Sequence, residues 1–213
     1  MDWRINRNLK IQYSGQFIAK PLGQTTQNDY DLAKQAGVSK LFIGIESGSE
    51  RVRNHMKKKY DNRSLDDTIT NLSQRGIKQH WMIITGYPTE LEEDFQDTLD
   101  LLRRFKKYAH LISTNFVSFV LLSDSRIAYH DHYKDLKYIS EYDQDDDSIV
   151  NYWICEQNPT LNFEKRLDRF YKAQEVAVEC GYSGVNIDNY KKTIKNYINH
   201  KQKSNIHDAQ ILS

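Results

Sequence analysis

The chain has 213 residues and a mass of 25.2 kDa, and its 30 Lys+Arg against 29 Asp+Glu leave a formal net charge of +1, which imposes no polyanionic or polycationic partner. With 38% hydrophobic residues and a mean hydropathy of −0.76 it holds no stretch of about 18 apolar residues for a membrane span, and Met1 to Lys10 lacks the apolar run of a secretory leader. A cytoplasmic location and one domain, or one domain with a tail, are the expectations. The two cysteines, Cys155 and Cys180, are distant in sequence and form no CxxC pair, which argues against a disulfide scaffold, a zinc ribbon or a locally ligated iron–sulfur cluster.

With only 9 Gly and 3 Pro, long regular elements are expected and no flexible linker is evident. Residues 9–18 read as a strand, and Thr26 to Ala36 as a helix stopped by Gly37. KLFIGIE, 40–46, is short and continuously apolar, as a strand of a parallel sheet covered on both faces would be. Ser47 to Met56 reads as a short helix, and Ser64 to Arg75 as a longer one with Ser64 as N-cap and Gly76 as stop. Residues 77–86 form another buried strand. Glu90 to Lys107 is a long amphipathic helix with Phe95, Leu99, Leu102 and Phe105 at helical spacing, and 115–122 is a fourth strand. Beyond it, Asn162 to Cys180 and Asn189 to His200 read as amphipathic helices.

Strands alternating with helices imply right-handed βαβ units and a parallel sheet. The fold class expected is α/β: a partial (β/α)6 TIM-like barrel fragment of four parallel strands over residues 1–125, with a helical C-terminal extension over 126–213.

In such sheets ligands bind at the carboxyl ends of the strands. After the 40–46 strand comes Glu46-Ser47-Gly48-Ser49, a carboxylate followed by small residues that let backbone approach a ligand, suited to ribose hydroxyls or an amino group. After the next strand comes Gly86-Tyr87-Pro88-Thr89-Glu90, a turn feeding a helix N-terminus. Other features read as structural. The acidic run 143–147 (DQDDD) lacks the Gly and terminal Glu of a calcium loop, and His130-Asp131-His132 would need a converging third ligand to hold a metal. His80, in phase with Met82 and Ile84, either points into the barrel or is a hydrogen-bonded core histidine, the latter being the expectation. The 14 tyrosines are scattered and no basic stripe marks a nucleic-acid surface.

Taken together and in order, KLFIGIESGSERVRNHMKKK and WMIITGYPTELEEDFQDTL resemble the middle of radical S-adenosylmethionine (radical SAM) enzymes, and are most similar to the group with cobalamin-binding and methylthiotransferase-like members. The similarity is good over about residues 9 to 120 and faint to about 182. The resemblance implies a partial barrel holding S-adenosylmethionine across its mouth, with Glu46 as the strand-end ligand contact and Ser47 beside it. Lys58 falls where members carry a basic residue near the methionine carboxylate, or else is one of three solvated lysines. Gln12, Ser14 and Gln16 lie on the strand that offers polar contacts from the opposite wall, and Gly86 and Pro88 shape the adenine side. The family's three-cysteine CxxxCxxC loop, which binds a [4Fe-4S] cluster, is absent from this chain, and Ser123-Asp124-Ser125 stands where members carry a Pro and Gly turn.

The resemblance then implies that the chain supplies strands three to six, and that two βα units of about 60 to 80 residues lie in an N-terminal half or a Cys-rich partner chain, or are lost by truncation. The chain alone is expected to be inactive. The alternative is a non-catalytic, degenerate half-barrel acting as a binding or assembly module. Either way an exposed sheet edge favours a partner or an oligomer.

Overall fold

The computed structural model describes residues 11–121, 127, 136–140 and 153–185. The acidic run 143–147, His130-Asp131-His132, Ser123-Asp124-Ser125 and the helix expected over 189–200 lie outside the described residues. Four strands, β1 (Tyr13–Phe17), β2 (Val38–Glu46), β3 (Lys78–Thr85) and β4 (Ile112–Ser118), form one parallel sheet in the order β1-β2-β3-β4. Between them run α1 (Gln27–Gln35), α2 (Glu50–His55), α3 (Asn62–Gln74), α4 (Glu92–Arg104) and a 3-10 turn (Lys106–Leu111). This is the α/β partial barrel that the alternating pattern implies. Among the described residues no helix is long and apolar enough to cross a membrane.

Several boundaries differ for local reasons. Helix α3 starts earlier than Ser64, because the Asp61 carboxylate accepts the Ser64 N–H at 2.7 Å and is itself the cap. Strand β4 starts at Ile112, earlier than the 115–122 expected, because Ile112 and Thr114 alternate inward ahead of the apolar run. Helix α4 begins only at Glu92, because Glu90 is drawn into the preceding turn and Asp94 accepts the Leu91 N–H at 2.7 Å.

The C-terminal part is less purely helical than expected. It holds a short antiparallel pair, β5 (Tyr138–Ser140) and β6 (Trp153–Cys155), before α5 (Phe163–Glu179), whose N-cap is Asn162. Helix α5 joins the helices that cover the sheet. Ala173, Val176 and Ala177 join Ile43, Ile45, Leu65, Ile69, Trp81, Ile83 and Leu102 in one contiguous cluster between the sheet and its helices. After α5 the chain returns to the sheet, where Ser183 bridges Ser113 in parallel and accepts the Thr114 N–H, covering the outer edge of β4.

Burial is one-sided. Along β2 the residues Leu41, Ile43 and Ile45 are buried under helices while Lys40, Phe42 and Gly44 are half-exposed, and along β3 Gln79, Trp81, Ile83 and Thr85 alternate with half-exposed His80, Met82 and Ile84. Strand β1 has Tyr13, Ser14, Gly15 and Gln16 all exposed. Parallel strands are ordinarily covered on both faces. The helix-free face is therefore the inner wall of an open half-barrel.

Candidate functional site

The site is built where β2 leaves the sheet. Pairing with β3 advances from Gly44–Met82 to Glu46–Ile83, so Ile45 is the extra residue of a bulge. The next peptide closes a tight turn: Glu46 sits at φ 62°, and the Ser47 N–H donates to the Ile45 carbonyl at 2.8 Å. That is the geometry of a γ-turn in the left-handed region, rare and strained for a side chain such as glutamate. Its effect is to aim the Glu46 carboxylate back along the open face, beside Gly44, where an added Cβ would lie 2.5 Å from Glu46 Oε1. Gly44 is thus required for the carboxylate's position.

Lys58 arrives by a second left-handed residue. At the end of α2, Lys57 has φ 63°, Lys58 N–H donates to the Arg53 carbonyl at 2.9 Å and Lys57 N–H to the Asn54 carbonyl at 3.0 Å, a Schellman ending normally built on glycine. The reversed chain lets Lys58 Nζ donate to Glu46 Oε1 at 2.7 Å, with the two side chains 31% and 17% exposed. Tyr60 follows and donates its hydroxyl to the Gly44 carbonyl at 2.8 Å, tying the same loop to the strand end. Behind this pair lies Arg53, fully buried. It donates to the Ser47 carbonyl at 2.7 Å and to Asn62 Oδ1, and burial pulls its pKa down although nearby Tyr60 and Glu50 favour the charge.

The two sequence motifs are in contact, which explains why they occur together. Ser49 Oγ donates to Asp94 Oδ1 at 2.6 Å, Arg51 reaches both Asp94 oxygens, and Gly48 N–H donates to Thr98 Oγ1 at 2.9 Å. Burial raises the Asp94 pKa, but hydrogen bonds from Arg51, Ser49 and the Leu91 N–H outweigh it and hold the carboxyl low.

The residues expected at the site do not all converge. Glu46 and Lys58 meet at the strand end. Ser47 is fully buried, its hydroxyl 3.3 Å from Thr98 Oγ1 and accepting the Ser49 N–H, so it faces α4 and not the open wall. Ser14 and Gln16 share the open face but pair with Lys40 and Phe42, about 20 Å and 13 Å below Glu46 at roughly 3.3 Å per residue. Gln12 is exposed just before β1. Gly86 (φ 72°) and Pro88 are buried in the β3 exit turn. His80 lies on the open face in phase with Met82 and Ile84, its Nδ1 2.8 Å from Ser113 Oγ.

Sequence reasoning missed a group on that turn. Glu90, fully buried, accepts the Gly86 N–H at 2.8 Å through Oε2 and pairs with Arg169 Nη1 at 2.9 Å. Burial pushes its carboxyl up to about 7, although Arg169 and the Gly86 N–H favour the anion; Asp94 pushes the same way as burial. A native pKa above the unfolded value means the folded state holds the proton more tightly, so this group's contribution to stability falls as pH rises between about 4.5 and about 7 and is constant above. Glu90→Gln, which mimics the protonated form, should match the wild type near pH 5 and become the more stable of the two by pH 8 in thermal melts. A wild-type gain over that range would show that Arg169 outweighs burial.

The two thiols do not make a cluster site. Cys155 is buried in a separate apolar group with Leu121, Leu136 and Trp153 and contacts Gln157 Oε1 at 3.1 Å, while Cys180 caps α5 with its pKa raised by burial. Among the described residues no group of three or more His, Cys, Asp or Glu could hold a metal ion. The residues present do not fit a three-thiolate [4Fe-4S] site.

A family model described as Radical SAM superfamily matches residues 9–102. Curated relatives include the threonylcarbamoyladenosine tRNA methylthiotransferase of Drosophila pseudoobscura pseudoobscura, 35% identical over 68 residues, which are 31% of this chain and 12% of that protein. The tRNA-2-methylthio-N(6)-dimethylallyladenosine synthase of Rickettsia akari (strain Hartford) is 38% identical over 68 residues, 31% of this chain and 15% of its own. The matched stretch thus spans well under a fifth of those relatives' lengths. Among solved structures, the radical S-adenosylmethionine methyltransferase TsrM from Kitasatospora setae, with cobalamin and a [4Fe-4S] cluster bound, aligns with a TM-score of 0.51 at 12% identity, over 75% of this chain and 36% of that one. At that identity the likeness is one of fold. The resemblance to radical SAM enzymes is borne out over residues 9–102.

Proposed function

We propose that this radical SAM chain binds S-adenosylmethionine at the mouth of its open half-barrel, as one portion of an enzyme whose [4Fe-4S] cluster is held by a CxxxCxxC segment outside these residues. The observation that carries the reading is the strained Glu46 turn with its Lys58 partner. Backbone strain of this kind persists where the surrounding structure over-determines it, and such residues cluster at ligand sites. Glu46 would accept hydrogen bonds from ribose hydroxyls or the methionine ammonium, Lys58 would face the carboxylate, and the apolar wall of Met82 and Ile84 suits an adenine edge. Glu46 and Lys58 would hold and orient S-adenosylmethionine and exclude water from it, and a cluster outside these residues would supply the electron for radical chemistry, with methionine as the leaving group.

A second reading is favoured by the cysteine set: a non-catalytic half-barrel that keeps the scaffold as a binding or assembly module. Anaerobic reconstitution with iron and sulfide should leave the purified chain without charge-transfer absorbance near 400 nm in either case, about the usual band for such clusters. A stable cluster on this polypeptide would overturn the assignment of its ligands elsewhere. Calorimetric titration with S-adenosylmethionine, alone and with a Cys-rich segment carrying CxxxCxxC, separates the readings. Binding that tightens with the segment supports the enzyme portion; no heat in either titration leaves the module.

A further inference from the structure

The Gly86–Glu90 turn is gripped from the C-terminal part of the chain by three side chains. Arg169, 5% exposed, donates through Nη1 to both the Glu90 carbonyl and Glu90 Oε2 at 2.9 Å, and through Nη2 to Glu92 Oε2 at 3.1 Å. Glu90 Oε2 in turn accepts the Gly86 N–H, so a continuous relay runs from α5 to the last residue of the strand exit. Asn158 Nδ2 donates to the Pro88 carbonyl at 3.1 Å and the Glu90 carbonyl at 3.0 Å. The stem of Arg166 lies over Gly86 so closely that an added Cβ there would be 2.7 Å from its Cγ, while its Nη1 is anchored on the Trp153 and Leu161 carbonyls.

Packing alone does not call for this chemistry. Burying the Arg169 guanidinium and the Glu90 carboxylate carries a desolvation cost for each ion, and an apolar set of the same volume is often at least as stable. What the charged set provides is direction: a planar fork can hold a backbone carbonyl and a carboxylate at once, which a point charge cannot. Glu90 Oε1 and Arg169 Nε remain buried without a hydrogen-bond partner among the described residues, so the arrangement is not one that merely satisfies every polar atom.

We propose that Arg169, seconded by Asn158 and Arg166, is a positioning residue for the Gly86–Glu90 turn, so that helix α5 and the segment before it set the ligand-facing geometry at the β3 exit. The inference rests on the reading of that turn as one side of the S-adenosylmethionine site. It makes the C-terminal extension part of the binding apparatus, acting through Glu90 without touching the ligand.

The test uses the full chain and two readouts, amide hydrogen exchange and S-adenosylmethionine titration, on the wild type, Arg169→Lys, Arg169→Gln and Asn158→Ala. Arg169→Lys keeps the charge and the melting temperature near wild type, yet should speed exchange at Gly86, Tyr87 and Glu90 about tenfold, because one ammonium cannot hold both Glu90 acceptors. Asn158→Ala should act in the same direction by about threefold, and each variant should weaken ligand affinity by a comparable factor. Exchange at Ile43 and Ile83 in the sheet should not move. Exchange at the turn within twofold of wild type in both Arg169→Lys and Asn158→Ala, or acceleration spread equally over β2 and β3, overturns the proposal. Should the wild type bind no S-adenosylmethionine, the ligand reading fails and the exchange data still decide whether Arg169 positions the turn. If Arg169→Gln does not fold, the other two variants carry the test.

Discussion

Replacing Glu46 with glycine should leave the protein at least as stable as the wild type while lowering its affinity for S-adenosylmethionine about tenfold or more. The left-handed backbone at Glu46 costs a residue with a Cβ roughly 1–2 kcal/mol, which glycine does not incur. Against that stand the lost pair with Lys58, half-exposed and worth at most about 1 kcal/mol, and the greater freedom of glycine in the unfolded chain, about 0.5–1 kcal/mol. Glu46→Ala loses the pair and keeps the strain, so it should melt about 2–4 °C below Glu46→Gly, at roughly 1 kcal/mol difference in a chain of this size. On the binding side, a charge-assisted hydrogen bond contributes about 1.5–3 kcal/mol, tenfold to a hundredfold in affinity. Equal melting temperatures for the two variants would dispose of the strain argument, and undiminished binding in either would remove Glu46 from the site.

Gly48→Ala should be the most damaging glycine-to-alanine change among the described residues. Gly48 lies between two buried serines, its N–H on Thr98 Oγ1, and a Cβ there would come within 2.5 Å of Thr98 Cα and against the Asp97 backbone. Those atoms belong to the interior of α4 and cannot swing aside as a side-chain end would. Overpacking of this kind costs about 3 kcal/mol, equivalent to roughly 6–12 °C in melting temperature. Because the clash falls where Ser49 and Arg51 meet Asp94, any surviving protein should also bind S-adenosylmethionine poorly. A variant within about 2 °C of wild type would mean that α4 slides freely over α2, contrary to the hydrogen bonds between them.

The α/β order and the place of Glu46 at a strand end are legible because the sequence switches cleanly between continuous apolar runs and helical spacing, and because Glu46 is followed at once by small residues. The conformation of the site is not. Nothing in a glutamate or a lysine announces a positive φ, so the turns at Glu46 and Lys57 are set by the fold around them. Ser47 reads as a free hydroxyl because sequence does not show Thr98 waiting opposite it. Gln12, Ser14 and Gln16 have the right chemistry on the right strand, but strand register assigns Ser14 and Gln16 to rows well below the mouth. One signal was available for Arg166 and Arg169. They fall on the same helical stripe as Ala173 and Val176, and a cation among core positions implies a buried acceptor.

The latch between α2 and α4 also bears on how such a chain can vary. Since Asp94 and Thr98 hold the neighbouring loop directly at the upper rim, the distance between the two lips is fixed there and owes nothing to the length of α3 or to the turns at Gly37 and Gly76 beneath the sheet. Insertions at that lower rim would be absorbed as longer surface loops, whereas one extra residue between Ser47 and Ser49 would unseat both lips at once. The molecule is tolerant at its base and rigid at its mouth.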